Sequence, residues 1–170
     1  RNIGGMSRET WFADATWSGP KGKQTKTFTI RLDHPEGSVI PTPLEFEFKV
    51  YAALADTDVP VARALWFEPS TEWLGRSFYV RETIEGSSAP KALFGKGQEE
   101  LRRSIGRQFA RLLARIHLLD WEKAGFPAFM PVPTNPEDAA RLELARWRKN
   151  FEDHRIEARP VATELYSWLN

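Results

Sequence analysis

The sequence contains no cysteine, and this absence excludes three kinds of chemistry. Without thiols the chain has no disulfide, no thiolate metal site and no cysteine nucleophile. Histidine is scarce as well, since only His34, His117 and His154 occur and they lie far apart in the sequence. We therefore predict no metal site within these residues.

Long apolar runs and an excess of charge of one sign are also missing. No stretch approaches the roughly 18 to 20 consecutive apolar residues that a membrane helix needs, and the first residues lack the apolar core of a signal peptide. The 24 basic and 23 acidic side chains leave a formal charge of +1, which gives no general attraction to nucleic acid or anionic membranes. We expect a cytoplasmic protein that binds neither nucleic acid nor a membrane. Its oligomeric state is left open.

What the chain does have is the composition of a globular protein. Hydrophobic residues make up 41% of its 170 residues, and seven Trp and eleven Phe supply bulky material for a core. A chain of this size buries roughly 70% of the surface that its unfolded form exposes. The sequence is therefore expected to form one ordinary domain or a large part of one.

The first half has the pattern of an antiparallel sheet with one helix. Alternating and β-branched residues predict strands at 10–17, 26–32, 64–68 and 77–83, with a Gly/Pro turn between the first two. The apolar side chains of residues 43–55 recur every three or four positions, and Pro43 suits a first helical turn. We predict that this helix packs against the sheet.

The second half has helical periodicity. Residues 98–119 place apolar side chains on one stripe and four arginines on another face. A further helix begins at Asn135 and Pro136, where Thr134 and Glu137 have the spacing of a capping box, and a last helix begins near Pro160. The fold class is therefore α+β, with the change of character falling after Gly86.

Two common phosphate-binding motifs are excluded. The Gly-Lys pairs at residues 22–23 and 95–96 lack both the earlier glycine and the following Ser or Thr of a P-loop. No G-x-G-x-x-G occurs, so a Rossmann dinucleotide site has no support.

The arginine stripe on the helix at 98–119 has two interpretations. Arg103, Arg107, Arg111 and Arg115 would suit phosphate contacts to nucleic acid. Acidic neighbours such as Glu99 and Glu100, and the near-zero total charge, favour a solvated helix face instead.

A few residues have chemical promise when taken together. Gly4 and Gly5 could let a backbone turn approach a phosphate closely, although a plain hairpin turn would use them too. Arg31 lies in the middle of an apolar strand, either on its solvent face or directed at an anion. Glu47 could reach this cation from the helix at 43–55, and Glu45 is the alternative partner.

The order of these parts resembles the N-lobe of a kinase, within the aminoglycoside phosphotransferase family. The likeness extends to the branch that also occurs as a domain beside acyl-CoA dehydrogenases. The segments that carry it are residues 4–11, 28–32, 45–54, 59–65, 78–86 and 113–121. The resemblance implies a protein-kinase-like fold, with an N-lobe at 1–86 made of an antiparallel sheet and one packed helix. Residues 87–170 would then be the first helices of an incomplete helical C-lobe.

The resemblance also implies roles for individual residues in binding ATP. Arg31 matches the strand cation, usually Lys, that binds the α- and β-phosphates, and Glu47 matches the helix glutamate that orients it. Arg81 falls at the back of the adenine pocket, where an apolar residue is usual. Gly4, Gly5 and Ser7 match the loop that covers the phosphates of ATP. Glu82 and Ile84 match the hinge, whose backbone holds the adenine.

The family's catalytic loop, His-Gly-Asp-x-x-x-x-Asn, does not occur in these residues. The resemblance therefore implies that the chain stops before this loop, so that no catalytic residue and no Mg²⁺ ligand belongs to it and the fragment alone is inactive. The intact protein would transfer the γ-phosphoryl group of ATP to the hydroxyl of a small molecule. The alternatives are a non-catalytic kinase-like module that binds a nucleotide or a partner, and a small α+β domain unrelated to kinases.

Overall fold

The computed structural model describes residues 2–3, 8–33, 42–86, 93–154 and 156–169. Within these residues five strands form one antiparallel sheet in the order β1-β2-β3-β5-β4. The strands are β1 (Asn2–Ile3), β2 (Arg8–Gly19), β3 (Gly22–Asp33), β4 (Ala64–Glu68) and β5 (Phe78–Glu82). The longer helices are α1 (Leu44–Leu54), α2 (Glu99–His117), α3 (Pro136–His154) and α4 (Pro160–Leu169), and Phe126–Ala128 forms a 3₁₀ turn.

The strands β2 and β3 form a long hairpin, as the sequence predicts. Gly19 pairs with Gly22 at its end, and Gly22 has a φ of 91°, a conformation that glycine adopts without steric cost. Along the hairpin the hydroxyl groups of Thr16 and Thr25 lie 2.9 Å apart. The tight turn fixes which residues of the two strands lie opposite each other.

The sheet has one polar and aromatic face and one apolar face. Because side chains alternate along a strand, the register that pairs Arg31 with Tyr79 and Thr29 with Arg81 places all four side chains on the same face. The opposite face holds an apolar cluster built on Leu32, Phe78 and Val80, with Trp11, Phe28, Ile30, Leu65 and Leu74 packed against it.

Helix α1 packs on the polar and aromatic face, as the periodicity of its apolar residues predicts. The ring centroids of Phe48 and Tyr51 lie 6.0 and 6.2 Å from that of Tyr79, which is fully buried. Phe48 also lies 5.9 Å from Phe67 on β4. This packing brings the first turn of α1 close to strands β2 and β3.

Helix α2 forms where its periodicity predicts, but much of its apolar stripe is exposed. Phe109 is 67% exposed and Ile116 is 52% exposed, and no residue of the helix is buried. Arg107 on another face pairs with Glu100 at 2.9 Å, in agreement with the solvated-face interpretation of the arginine stripe. No helix in the described part of the chain is both long and apolar enough to cross a membrane.

The chain divides into two compact units, Arg1–Phe129 and Met130–Asn170. The lobe boundary predicted after residue 86 is a different division and stays a prediction. In the second unit Phe151 of α3 contacts Tyr166 of α4, with ring centroids 5.7 Å apart.

The N-terminal cap of α3 lies where the sequence predicts it, but its returning carboxylate is not the predicted one. Asn135 Oδ1 accepts a hydrogen bond from the backbone N–H of Asp138 at 2.9 Å. The Asp138 carboxylate accepts from the backbone N–H of Thr134 at 3.2 Å and from its hydroxyl group. The returning carboxylate is therefore Asp138 rather than Glu137, because Asn135 is the cap residue and its third successor is Asp138.

Candidate functional site

Arg31 lies in the middle of β3 and is held by two side chains. Its Nε donates to Glu47 Oε1 at 3.2 Å, and its Nη1 donates to Thr10 Oγ1 at 2.5 Å. The side chain is 21% exposed, and its Nη2 has no hydrogen-bond partner among the described residues. Arg31 is thus a cation anchored by Glu47 and Thr10, with a donor that no described residue uses.

The partner of Arg31 is Glu47 and not Glu45. Glu45 forms an ion pair with Lys49 at 2.9 Å along the exposed side of α1. Glu47 lies two residues further along and points at the sheet, because α1 presents positions 44, 47, 48 and 51 to the same side.

The carboxylate of Glu47 accepts three side-chain hydrogen bonds. Oε1 accepts from the Tyr79 hydroxyl group at 2.7 Å as well as from Arg31, and Oε2 accepts from Arg8 Nε at 3.2 Å. Burial raises the pKa of Glu47, but the bonds from Tyr79, Arg31 and Arg8 outweigh it and leave the pKa below its ordinary value. Glu47 is therefore ionised at neutral pH.

Tyr79 supplies a neutral donor beneath this carboxylate. Burial, followed by its hydrogen bond to Glu47, raises the pKa of Tyr79 well above its ordinary value. Because the phenol keeps its proton, it donates a hydrogen bond to Glu47. It carries no negative charge that would attract Arg8 or Arg31 away from Glu47. No pattern in the sequence pointed to a role for this residue.

Arg8 is the second functional residue that sequence reasoning missed. It is 8% exposed, and besides Glu47 it contacts the Asp33 carboxylate on β3 and the backbone carbonyl of Thr42 just before α1. A two-residue turn at Pro20 and Lys21 would have placed Arg8 opposite Asp33. This cross-strand charge pair was the signal available in the sequence.

The predicted hinge begins at the last residue of β5. The Glu82 carboxylate accepts a hydrogen bond from Lys26 Nζ at 2.7 Å. This hydrogen bond holds the pKa of Glu82 below its ordinary value. The backbone N–H of Glu82 donates to the Arg63 carbonyl at 2.9 Å. The hydroxyl groups of Thr83 and Thr29 lie 2.9 Å apart. Ile84 is 68% exposed, so the segment leaves the sheet at this point.

Arg81, the last helix-facing residue of β5, has a different environment from Arg31. Its guanidinium lies over the Tyr51 ring, 5.3 Å from the centroid. Its Nε is buried without a hydrogen-bond partner.

The structure brings some of the predicted residues together and leaves others undescribed. Arg31 and Glu47 form one hydrogen-bonded pair, while Glu82 is the last residue of the neighbouring strand β5 and Ile84 lies just after it. The loop residues Gly4, Gly5 and Ser7 lie outside the described residues. Within the described part of the chain no group of three or more His, Asp or Glu side chains is arranged to hold a metal ion. Chemically, this arrangement can present the fixed cation of Arg31 to an anion.

The antiparallel sheet with one packed helix, and the ion pair between Arg31 and Glu47, have the arrangement of a kinase-like fold. A Ralstonia eutropha protein assigned as an aminoglycoside phosphotransferase has a crystal structure that matches with a TM-score of 0.60 and 25% sequence identity, over 99% of this chain and 45% of that one. The sequence pattern of the phosphotransferase enzyme family matches residues 4–170. The chain belongs to this family, and its predicted α+β kinase-like fold is confirmed.

Two curated relatives carry names from a different enzyme class. Acyl-CoA dehydrogenase family member 10 of Mus musculus is 24% identical over 87% of this chain, and family member 11 of Rattus norvegicus is 25% identical over 97% of it. The chain spans only 14% and 20% of the length of these two proteins. The predicted resemblance to the branch associated with acyl-CoA dehydrogenases is thereby confirmed.

Proposed function

We propose that this chain is the nucleotide-binding part of a small-molecule kinase. The intact protein would transfer the γ-phosphoryl group of a purine nucleoside triphosphate, ATP by the family resemblance, to a substrate hydroxyl. The observation that carries this proposal is the pair formed by Arg31 and Glu47. It holds a partly exposed cation on the face of the sheet that meets α1, with an Nη2 group that no described residue uses.

In this proposal Arg31 binds the phosphates through its remaining donors. Its Nε and Nη1 are already occupied by Glu47 and Thr10, so little side-chain freedom is lost when an anion binds. Arg31 replaces the usual Lys with a planar and permanently charged fork, which suits bidentate contact with phosphate oxygens. Glu47 is then a positioning residue for this cation.

The groups that bind the base and cover the phosphates are assigned from the family resemblance. The backbone carbonyl of Glu82 and the backbone N–H of Ile84 would hold the base edge, and the loop with Gly4, Gly5 and Ser7 would cover the phosphates. Bound Mg²⁺ would neutralise phosphate charge, and we expect its ligands and the catalytic carboxylate outside this chain. The phosphate acceptor is proposed only as a class, namely a small molecule with a hydroxyl group.

Titration of the full-length protein with Mg-ATP, followed by tryptophan fluorescence, tests the binding. Replacing Arg31 by Ala should weaken binding about ten-fold or more, because a hydrogen-bonded contact to a charged group is lost. Arg111→Ala on the exposed surface of α2 is the matched control and should bind as the unmodified protein does. If neither ATP nor another purine nucleoside triphosphate binds the unmodified protein, the proposal fails.

The second candidate function is a non-catalytic module that binds nucleotide or a partner. The specific observation in its favour is Arg81, whose Nε has no hydrogen-bond acceptor in the described part of the chain and which stands where the family usually has an apolar residue. Metal-dependent nucleotide binding without phosphoryl transfer to any hydroxyl substrate by the full-length protein would favour this module. Transfer that Arg31→Ala slows would favour the kinase.

A further inference from the structure

Arg81 is a partly buried cation that no described residue neutralises. Its Nε is fully buried and has no hydrogen-bond acceptor. Its guanidinium lies over the Tyr51 ring, 5.3 Å from the centroid. A cation–π contact satisfies none of the five in-plane N–H donors of a guanidinium. A desolvated donor without an acceptor is costly, so such a group calls for an explanation.

The register places Arg81 on the same face as Arg31. Arg81 pairs with Thr29, and Arg31 lies two residues further along β3 on the side that faces α1. Glu82 follows Arg81 directly, and its backbone carbonyl is the first of the two groups assigned to the base edge. Along the strands, residue 81 therefore lies between the level of Arg31 and that of Glu82, and its guanidinium extends over Tyr51 of α1.

The nearby polar side chains do not supply an acceptor to Arg81. The hydroxyl group of Thr29 lies 2.9 Å from that of Thr83. Glu82 follows Arg81 along the strand, so its carboxylate lies on the opposite face of the sheet. There it accepts a hydrogen bond from Lys26 at 2.7 Å. The Glu47 carboxylate already has three donors. None of these described groups supplies an acceptor to Arg81, and a ligand would meet its terminal nitrogens, since the Nε is fully buried.

The purine ring offers two different groups at its C6 position. Adenine carries an amino group there, which is a donor, whereas guanine and hypoxanthine carry an oxygen, which is an acceptor. A guanidinium has donors only, and its pairing with the O6 and N7 atoms of guanine is the commonest specific contact between proteins and base edges. Guanine and hypoxanthine also have an N1–H that the Glu82 carbonyl can accept.

We propose that Arg81 makes this site select purine nucleotides with an oxygen at C6, so that inosine and guanosine triphosphates bind more tightly than ATP. The inference rests on the proposed nucleotide-binding function and deepens it. Arg81 acts here as a specificity-determining residue that contacts the base.

Calorimetric titration of the full-length protein with the Mg²⁺ complexes of ATP, ITP and GTP tests this inference. ITP is the informative ligand, because it shares the ribose and triphosphate of ATP and lacks the 2-amino group of GTP. We expect ITP and GTP to bind about ten-fold more tightly than ATP, the ratio that one hydrogen bond to a charged group supplies. In Arg81→Met, which keeps the length of the side chain and removes its donors, that ratio should fall to one or reverse. Arg111→Met should retain it.

The outcomes separate this inference from the proposed function. Binding of ATP as tight as that of ITP by the unmodified protein overturns the selectivity and leaves nucleotide binding in place. A preference for ITP that survives in Arg81→Met also overturns it. If none of the three nucleotides binds, the proposed function fails and the selectivity fails with it. The comparison of ligands on the unmodified protein holds even if the variant does not fold.

Discussion

At the scale of single residues, the central feature is one carboxylate with three donors. Glu47 is 24% exposed, and burial alone would favour its neutral form. The two arginines and the Tyr79 hydroxyl group make its charged form the favoured one. Because each of these donors also leaves water, the network is stable only when all its members are present.

Glu47 is expected to make stability depend on pH. Its pKa in the folded state lies below the ordinary value of 4.5, so its contribution is fully present above that value and is lost as the pH falls through the folded pKa. Glu47→Gln should therefore lower the free energy of unfolding by about 1–3 kcal/mol at pH 7. The difference from the unmodified protein should shrink below pH 4.5. Urea denaturation over a pH series measures both effects.

Glu45→Gln is the matched control for this experiment, since Glu45 is on the same helix and pairs with Lys49 at the surface. We expect a change within about 0.5 kcal/mol at neutral pH. Equal losses in the two variants would contradict the role assigned to Glu47.

At the scale of elements, Arg8 joins three parts of the first unit. It begins β2 and contacts Asp33 at the end of β3, Glu47 on α1 and the Thr42 carbonyl that precedes α1. The sheet and the helix therefore share one buried cation. This arrangement fixes the distance between β3 and α1, on which the pairing of Arg31 with Glu47 depends.

Removing this shared cation should be costly. We expect Arg8→Met to lower the free energy of unfolding by about 3 kcal/mol or more, because Asp33 and Glu47 lose a buried partner. Arg107→Met removes an exposed pair with Glu100 on α2 and should cost less than about 1 kcal/mol. Chemical denaturation of both variants gives the comparison, and similar values for the two would show that Arg8 is not a structural link.

The hairpin glycine and a helical glycine should respond to alanine in opposite directions. Gly22 has a φ of 91°, so Gly22→Ala forces a left-handed backbone on a residue with a Cβ and should cost about 1–2 kcal/mol. Gly106 lies inside α2 with nothing within 4 Å of an added Cβ. Gly106→Ala should therefore stabilise by up to about 1 kcal/mol. Thermal denaturation distinguishes the two signs, and destabilisation by Gly106→Ala would contradict this account.

At the scale of the whole molecule, the apolar residues are unevenly covered. The sheet of the first unit has an apolar cluster on one face and α1 on the other. The apolar stripe of α2 remains largely exposed, at Leu101, Ile105, Phe109, Leu113 and Ile116. Contiguous apolar surface of this kind is a mark of interaction or aggregation.

We expect the 170-residue chain by itself to self-associate through this stripe. Phe109→Lys places a charge at its most exposed position and should shift the chain toward monomer in light scattering after size-exclusion chromatography. Ala114→Lys adds the same charge to the opposite side of α2 and is the control. If both variants associate like the unmodified chain, the stripe is not the contact surface.

Much of the architecture follows from local patterns in the sequence. The alternation along residues 26–32 predicts a strand whose odd and even positions face opposite ways, and the spacing in α1 predicts a helix with one apolar side. These patterns repeat every 2 or 3.6 residues, so neighbouring side chains reveal them. The cap of α3 was predicted in place but with the wrong carboxylate, since Thr134 and Asn135 are both capable of capping.

By itself the sequence determined four of the five described strands, the main helices, the kinase-like order of the parts and the candidates Arg31 and Glu47. Only the tertiary structure decided that Glu47 rather than Glu45 meets the cation, and that Tyr79 and Arg8 share the same carboxylate. These contacts join residues 16, 32 and 39 positions apart. Pairs so distant in the chain depend on the hairpin register and on the packing of a helix across a sheet, which no local repeat encodes.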